Sequence, residues 1–104
     1  MLFSVCILFK SIHSIPSDDE PLWEERIILV SAVSKDEAYK KGENFGKNSE
    51  ESYEARKGDI VSWKFIKIQS VFSLDEKTIK DGTELFSRFL KDSEAKSFLT
   101  SFED

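Results

Sequence analysis

The side chains best suited to acid–base chemistry are carboxylates in two distant segments. Glu24 and Glu25 lie early in the chain, whereas Asp81, Glu84 and Arg88 lie towards its end. Two carboxylates in different surroundings can act as general acid and general base. These residues would form such a site only if the fold brought both segments to one end of a sheet. Ion pairing at the surface accounts for the same residues, and we favour that interpretation.

The single histidine and the single cysteine do not indicate a site. No carboxylate or thiolate directly neighbours His13, so we expect a solvated residue in a loop and assign it no role. Cys6 lies in an apolar run, where burial raises the pKa of a thiol and weakens its reactivity, so we expect it in the core. One cysteine and one histidine cannot supply the four ligands of a structural zinc site. The sequence therefore predicts no catalytic residue, no metal and no cofactor, and we expect no enzyme.

The acidic composition argues against several kinds of ligand. The formal net charge is -5, which disfavours binding to nucleic acid and to anionic membranes because both are polyanions. A basic protein partner would be attracted. The acidic turn Asp18-Asp19-Glu20 lacks the spacing of a calcium loop, and the four glycines are too scattered to form a phosphate-binding loop.

The apolar run from Leu2 to Phe9 is too short to span a bilayer. No Lys or Arg precedes it and Lys10 ends it, so it does not resemble a signal peptide either. A single cysteine cannot form an internal disulfide. We therefore expect a cytoplasmic protein in a reducing compartment.

The elements that position these residues are predicted from hydrophobic alternation and from turn residues. Helix starts are predicted where Ser34 can cap Glu37 and where Asp92 or Ser93 can cap the C-terminal helix. The predicted strands are Leu2 to Ser11, Leu22 to Ala32, Ser52 to Arg56, Asp59 to Leu74 and Thr83 to Leu90. The order β-β-α-β-β-β-α predicts an α+β fold with an antiparallel sheet of four to five strands and one helix packed on a face. We expect one domain over 1–104, with its core in 2–90 and an amphipathic helix at about 93–102.

Three finer features are predicted within these elements. Gly42 inside the first helix indicates a close approach to the sheet, and Gly46 is predicted as its left-handed C-terminal cap. Gly58 is expected at the positive φ of a tight turn. The alternation of the longest strand changes phase at Phe65-Ile66, which indicates a β-bulge there.

The sequence resembles domain-of-unknown-function family 4288 over roughly Phe3 to Leu90. The resemblance rests on Trp23-Glu24-Glu25, Asp36-Glu37-Ala38, Gly46, Tyr53, Gly58, Val61-Ser62-Trp63-Lys64-Phe65, and Asp81-Gly82-Thr83-Glu84 through Phe89-Leu90. It implies a small, soluble, cytoplasmic domain from a mainly bacterial family. No established activity comes with it.

The many acids, the large aromatic residues and the lack of a catalytic set favour a non-enzymatic protein-interaction module, of which an inhibitor or neutralising partner is one form. The predicted interaction surface is Trp23, Glu24, Glu25, Tyr53 and Trp63. The alternative is a small-ligand-binding or hydrolytic domain with a pocket of Trp63, Asp81, Glu84, Ser87 and Arg88. A homodimer through Phe98, Leu99 and Phe102 is a further hypothesis.

Overall fold

The computed structural model describes residues 1–74 and 78–99. The elements follow in the order β1 (Leu2–His13), β2 (Trp23–Ser31), α1 (Lys35–Asn48), β3 (Glu51–Arg56), β4 (Asp59–Leu74) and α2 (Asp92–Ser97). The strands form a four-stranded antiparallel sheet in the order β2-β1-β4-β3. The predicted fold class is therefore confirmed. None of the described helices is long and apolar enough to cross a membrane.

The core lies between α1 and one face of the sheet. Odd-numbered residues of β1 point to this face, because Val5 Cγ1 lies under Gly42 of α1. The buried core cluster contains Phe3, Val5, Ile7, Phe9, Val30, Ala32, Ala38 and Ile68. We call this side of the sheet the helix face and the other side the open face.

Helix α1 begins as predicted but ends differently. Ser34 Oγ accepts a hydrogen bond from the Glu37 backbone N–H at 3.1 Å, as expected for the cap. The prediction that Gly46 is a left-handed cap is wrong, because the helix continues to Asn48 and is capped by Ser49 in right-handed geometry. Gly46 is instead a packing residue, since a Cβ there would lie 2.3 Å from Cδ1 of Phe65.

The longest strand contains the predicted bulge. Leu8 pairs with Lys67 and Phe9 pairs with Phe65, so Ile66 is the extra residue of β4. A second irregularity follows, because Cys6 pairs with Ser70 and Ile7 with Ile68. The bulge at Ile66 keeps Phe65 and Ile68 on the helix face although their spacing is odd.

The C-terminal part of the chain crosses the open face. The predicted fifth strand, Thr83 to Leu90, does not form, and this segment has no regular secondary structure. It is held instead by separate side-chain contacts. Ser4 Oγ donates a hydrogen bond to the carbonyl oxygen of Leu85, and Phe86 packs edge-on against Phe72 with ring centroids 6.5 Å apart. The part of the predicted last helix beyond residue 99 lies outside the described residues, and so does Phe102.

Candidate functional site

The five residues of the predicted interaction surface lie on both faces of the sheet. Trp23 pairs with Lys10 and Glu25 with Leu8, so both side chains lie on the open face. Glu24 pairs with Phe9 and lies on the helix face. Trp63 pairs with Ser11, and Tyr53 pairs with Val61, which lies opposite His13; both are therefore on the helix face. The structure does not bring the five side chains to one surface.

The two tryptophans have different surroundings. Trp63 is half-buried against the core, and its Nε1–H donates a hydrogen bond to the Tyr53 hydroxyl at 3.0 Å. Trp23 is exposed on the edge strand β2, with the ammonium of Lys10 5.3 Å from its ring centroid. Trp63 is thus part of the packing between β4 and β3, whereas Trp23 is available at the surface.

Glu24 and Glu25 are both ion-paired. Glu24 Oε1 lies 2.9 Å from Arg26 Nε, and Glu25 Oε1 lies 3.2 Å from Arg88 Nη1. The buried Cys6 thiol donates a long hydrogen bond to the same Glu25 oxygen, at 3.7 Å. Burial, and then the nearby Glu25 carboxylate, raise the pKa of Cys6 to about 11. Cys6 is therefore a neutral thiol at physiological pH and a poor nucleophile.

The residues of the alternative pocket are also divided between the two faces. Trp63 lies on the helix face, whereas Arg88 reaches Glu25 on the open face. Asp81, Glu84 and Ser87 are exposed on the C-terminal segment. The sheet therefore separates Trp63 from the Arg88 end of this group.

The sequence reasoning missed a contact between the exposed His13 and the buried Asp59. His13 is exposed, as expected, but it is the last residue of β1 and not a loop residue, and its Nδ1 lies 2.8 Å from Oδ2 of Asp59. Asp59 is 1% exposed and also accepts a hydrogen bond from the Ile15 backbone N–H at 3.4 Å. The hydrogen bond from His13 is the largest cause that lowers the pKa of Asp59, so this carboxyl is ionised at neutral pH. The two residues are 46 positions apart, and only the pairing of β1 with β4 brings them together.

A small cavity of about 240 Å³ lies beside His13, between the end of β1 and the acidic turn. Its lining includes Asp19, Glu20 and Arg56. No group of three or more His, Cys, Asp or Glu side chains among the described residues is arranged to hold a metal ion. Asp59 already accepts hydrogen bonds from His13 and from the Ile15 backbone. This indicates a structural contact that links the end of β1 to the start of β4.

The outer edge of β2 presents backbone groups that β1 does not use. Ala32 N–H donates a hydrogen bond to the Met1 carbonyl oxygen, and Ser11 N–H donates one to the Leu22 carbonyl oxygen. The backbone groups of the even-numbered residues in this stretch therefore point towards β1 and bond to it. The N–H and C=O groups of the alternate residues point away from the sheet. These residues are Trp23, Glu25, Ile27, Leu29 and Ser31. No strand within the described parts of the chain pairs with this edge.

The two edge strands of the sheet differ in how well they are protected against pairing. β3 has only six residues, carries Glu51, Glu54 and Arg56, and contains a register shift next to Arg56. Short length, charge and irregularity are the usual means by which proteins block pairing at an edge. β2 has nine residues, and its second half is the uncharged run Ile27-Ile28-Leu29-Val30-Ser31. This half of β2 is neither short, charged nor bulged, although Lys41 of α1 donates a hydrogen bond to the outward carbonyl oxygen of Ser31 at 2.6 Å and so covers its last residue.

A groove of about 690 Å³ lies beside this edge, between β2 and α1. Val30, which is 4% exposed, lies on its β2 side together with Leu29 and Ser31. Helix α1 contributes Lys41, Asn44, Phe45 and Asn48. The last three follow Lys41 by three, four and seven residues, a spacing that places all four on one stripe of the helix. The edge and the groove together form the candidate interaction site.

Comparison with known families supports the resemblance noted in the sequence. The sequence model of the family described as Domain of unknown function (DUF4288) matches residues 2–87. The chain belongs to this family. The comparisons with curated proteins and with solved structures gave no match.

The DUF4288 match covers all four strands and α1, and therefore both walls of the groove. Arg88 and α2 lie beyond it. Sequence patterns could identify β2 as a strand of this DUF4288 domain, but not as an edge strand, because the chain order of the strands admits several sheet orders. The groove was missed for the same reason.

Proposed function

We propose that this domain is a non-enzymatic protein-interaction module that binds an extended segment of a partner protein as an added strand on the outer edge of β2. The observation that carries the proposal is the contrast between the two edges of the sheet. β3 is short and charged, whereas β2 is longer, and the backbone N–H and C=O groups of Ile27 and Leu29 in its apolar half point away from β1. Binding by strand addition uses such an edge, with main-chain hydrogen bonds supplying much of the affinity.

Three residues of the predicted interaction surface belong to this strand. Trp23, Glu24 and Glu25 form its first third, and Tyr53 and Trp63 take no part in the proposed contact. The negative charge of the chain favours a partner segment with basic residues, because opposite charges steer association. A protein that neutralises its target by covering an exposed strand would act in this way.

The test uses a library of random nine-residue peptides displayed on phage and selected against the wild-type domain. Selected peptides are then measured against Leu29→Pro and its control, Leu29→Thr. Proline removes the outward N–H of Leu29, which β1 does not use, so the sheet should remain intact. Threonine removes the leucine side chain but keeps the N–H.

We expect Leu29→Pro to weaken binding at least tenfold, which corresponds to about 1.4 kcal/mol and is within reach of one lost hydrogen bond with its local disturbance. Leu29→Thr should bind within about threefold of the wild type. A selection that enriches no peptide would count against the proposal, and so would equal binding by both variants when their circular dichroism matches that of the wild type.

A further inference from the structure

We propose that the groove between β2 and α1 receives a large apolar side chain of the added strand, and that Phe45 sets the size of that side chain. The inference rests on the proposed function, because it assigns the specificity of the same edge. It defines the partner as an extended segment with a leucine-sized residue at one position that faces α1.

The direction of side chains in an added strand follows from the register of β2. Residues that lie directly opposite each other on neighbouring strands project to the same face of a sheet. Ile28 and Val30 project to the helix face, since they pair with Val5 and Phe3. A partner residue opposite either of them would therefore project towards the side of α1, and one opposite Val30, which lines the groove, would enter it.

The groove exists because α1 is drawn towards the middle of the sheet. Gly42 lies against Val5 and Ile68, and Gly46 lies against Phe65, so the closest contacts of the helix are with β1 and β4. Both glycines lack the Cβ that would hold the helix further away. The position over β1 and β4 leaves the helix face of β2 only partly covered, and the groove follows that uncovered strip.

Phe45 is the large apolar side chain on the groove side of α1. It is 55% exposed although it lies only three positions from the buried Gly42. Its neighbours on the stripe are the amides Asn44 and Asn48, which can bond to polar groups at the rim. Lys41 lies at the N-terminal end of the stripe. Its Nζ lies 2.6 Å from the carbonyl oxygen of Ser31 and 3.4 Å from a carboxylate oxygen of Glu37. An apolar side chain entering here would gain contact with Phe45 and Val30.

A groove of this volume falls within the range of ligand-binding clefts in proteins, roughly 300–1,000 Å³. Specific binders commonly combine an apolar wall with a few polar groups at the rim. The groove has both. Strand addition alone would accept many sequences, so a side-chain site next to the edge supplies the selectivity that backbone pairing lacks.

The probes are synthetic peptides of the form acetyl-Lys-Thr-Val-Thr-Xaa-Thr-Val-Thr-Lys-amide, in which Xaa is Ala, Leu or Phe. Binding is measured by isothermal titration calorimetry against five proteins: wild type, Leu29→Pro, Phe45→Ala, Phe45→Trp and the control Tyr39→Ala. Tyr39 is an exposed aromatic residue of the same helix outside the groove lining. Circular dichroism checks that each variant is folded.

We expect the wild type to bind the Leu peptide about tenfold more tightly than the Ala peptide, as partial burial of three additional carbon atoms predicts. Phe45→Ala should enlarge the groove and move the preference to Phe. Phe45→Trp should narrow it and reduce the Leu preference to threefold or less. Tyr39→Ala should behave as the wild type.

The outcomes separate this inference from the proposed function. If the wild type binds all three peptides with equal affinity and Leu29→Pro still weakens binding, the edge binds strands but the groove does not select. If Phe45→Ala and the wild type show the same preference among the Ala, Leu and Phe peptides, then Phe45 does not set the size of the bound side chain. If the wild type binds no peptide, both proposals fail.

Discussion

At the scale of the residue, Asp59 shows how a fixed charge holds two strand ends together. It begins β4, is buried, and accepts hydrogen bonds from His13 on β1 and from the Ile15 backbone just beyond it. Arg56 lies further away, with its Nε 3.9 Å from the carboxylate. A buried carboxylate with such partners is stabilised in its ionised form, which is why its pKa lies below the ordinary value of 3.8.

The pH dependence of this contact has a defined sign. A carboxyl with a lowered pKa in the folded state stabilises the fold above the pKa of the unfolded chain, near 3.8, and loses that stabilisation as the pH falls through the folded-state value. We predict that Asp59→Asn lowers the thermal unfolding midpoint at pH 7. The difference from the wild type should shrink as the pH falls from about 4 towards the folded-state pKa.

The control for this prediction is Asp18→Asn, which removes an exposed carboxylate of the acidic turn. It should leave the unfolding midpoint nearly unchanged. Thermal unfolding curves followed by circular dichroism between pH 2.5 and pH 7 measure both effects. A constant difference between Asp59→Asn and the wild type over this whole range would contradict the assignment.

His13 and Asp59 also show what residue patterns cannot reveal. A lone histidine and an isolated aspartate have no local spacing that links them, so the sequence indicated a solvated loop residue. The contact depends on the register of β1 with β4, which includes two bulges. The buried state of Cys6 was predictable, because it follows from the apolar run around it.

At the scale of the element, α1 is fixed by its glycines more than by its apolar residues. Among its buried residues are Ala38, Gly42 and Gly46, none with a long side chain. The sequence predicted the close approach at Gly42, since an interior glycine is costly unless a neighbour needs the space. It gave the wrong role to Gly46, because a glycine near the end of a helix is more typical of a cap. Only the position of Phe65 on β4 distinguishes the two roles.

We predict that Gly46→Ala destabilises the domain although alanine is the better helix former. The change gains about 1 kcal/mol of helix propensity but places a Cβ 2.3 Å from the Phe65 ring, and overpacking costs typically 1–3 kcal/mol. The net loss should be about 1 kcal/mol, measured by urea unfolding. Phe65→Leu in the same chain should recover part of it.

The matched control is Lys47→Ala, one residue further along the same helix and exposed. It should change the free energy of unfolding by less than about 0.5 kcal/mol. An increase in stability for Gly46→Ala would show that helix α1 can move away from Phe65 at no cost. The groove beside β2 would then need another explanation.

The strands were the most predictable elements, and the segment after them the least. Alternation and Gly58 located β3, β4 and the turn between them, and the phase change located one of the two bulges. The segment from Thr83 to Leu90 alternates apolar and polar residues much as the strands do, but it forms no strand. It is held on the open face by side-chain contacts and not by backbone hydrogen bonds to a neighbouring strand. Local pattern cannot distinguish these two ways of covering a sheet.

At the scale of the whole molecule, the two edges and the two faces differ in ways that point to one binding site. The helix face is filled by α1 over β1 and β4, and the C-terminal segment crosses the open face. The β3 edge is short and charged, and the second half of the β2 edge is uncharged. The proposed strand-binding site lies where the free backbone edge and the groove coincide. Its location depends on strand order, which the sequence did not determine.

Amide hydrogen exchange by NMR, with and without the Leu peptide, tests this account most directly. In the free domain, the amides of Ile28 and Val30 should exchange slowly because their N–H groups bond to β1. The amides of Ile27 and Leu29 point away from β1 and should exchange fast. Saturation with the peptide should slow Ile27 and Leu29 at least tenfold and leave the β3 amides unchanged. Slow exchange at Ile27 and Leu29 in the free domain, or protection by the peptide only elsewhere, would contradict the assignment of β2 as the binding edge.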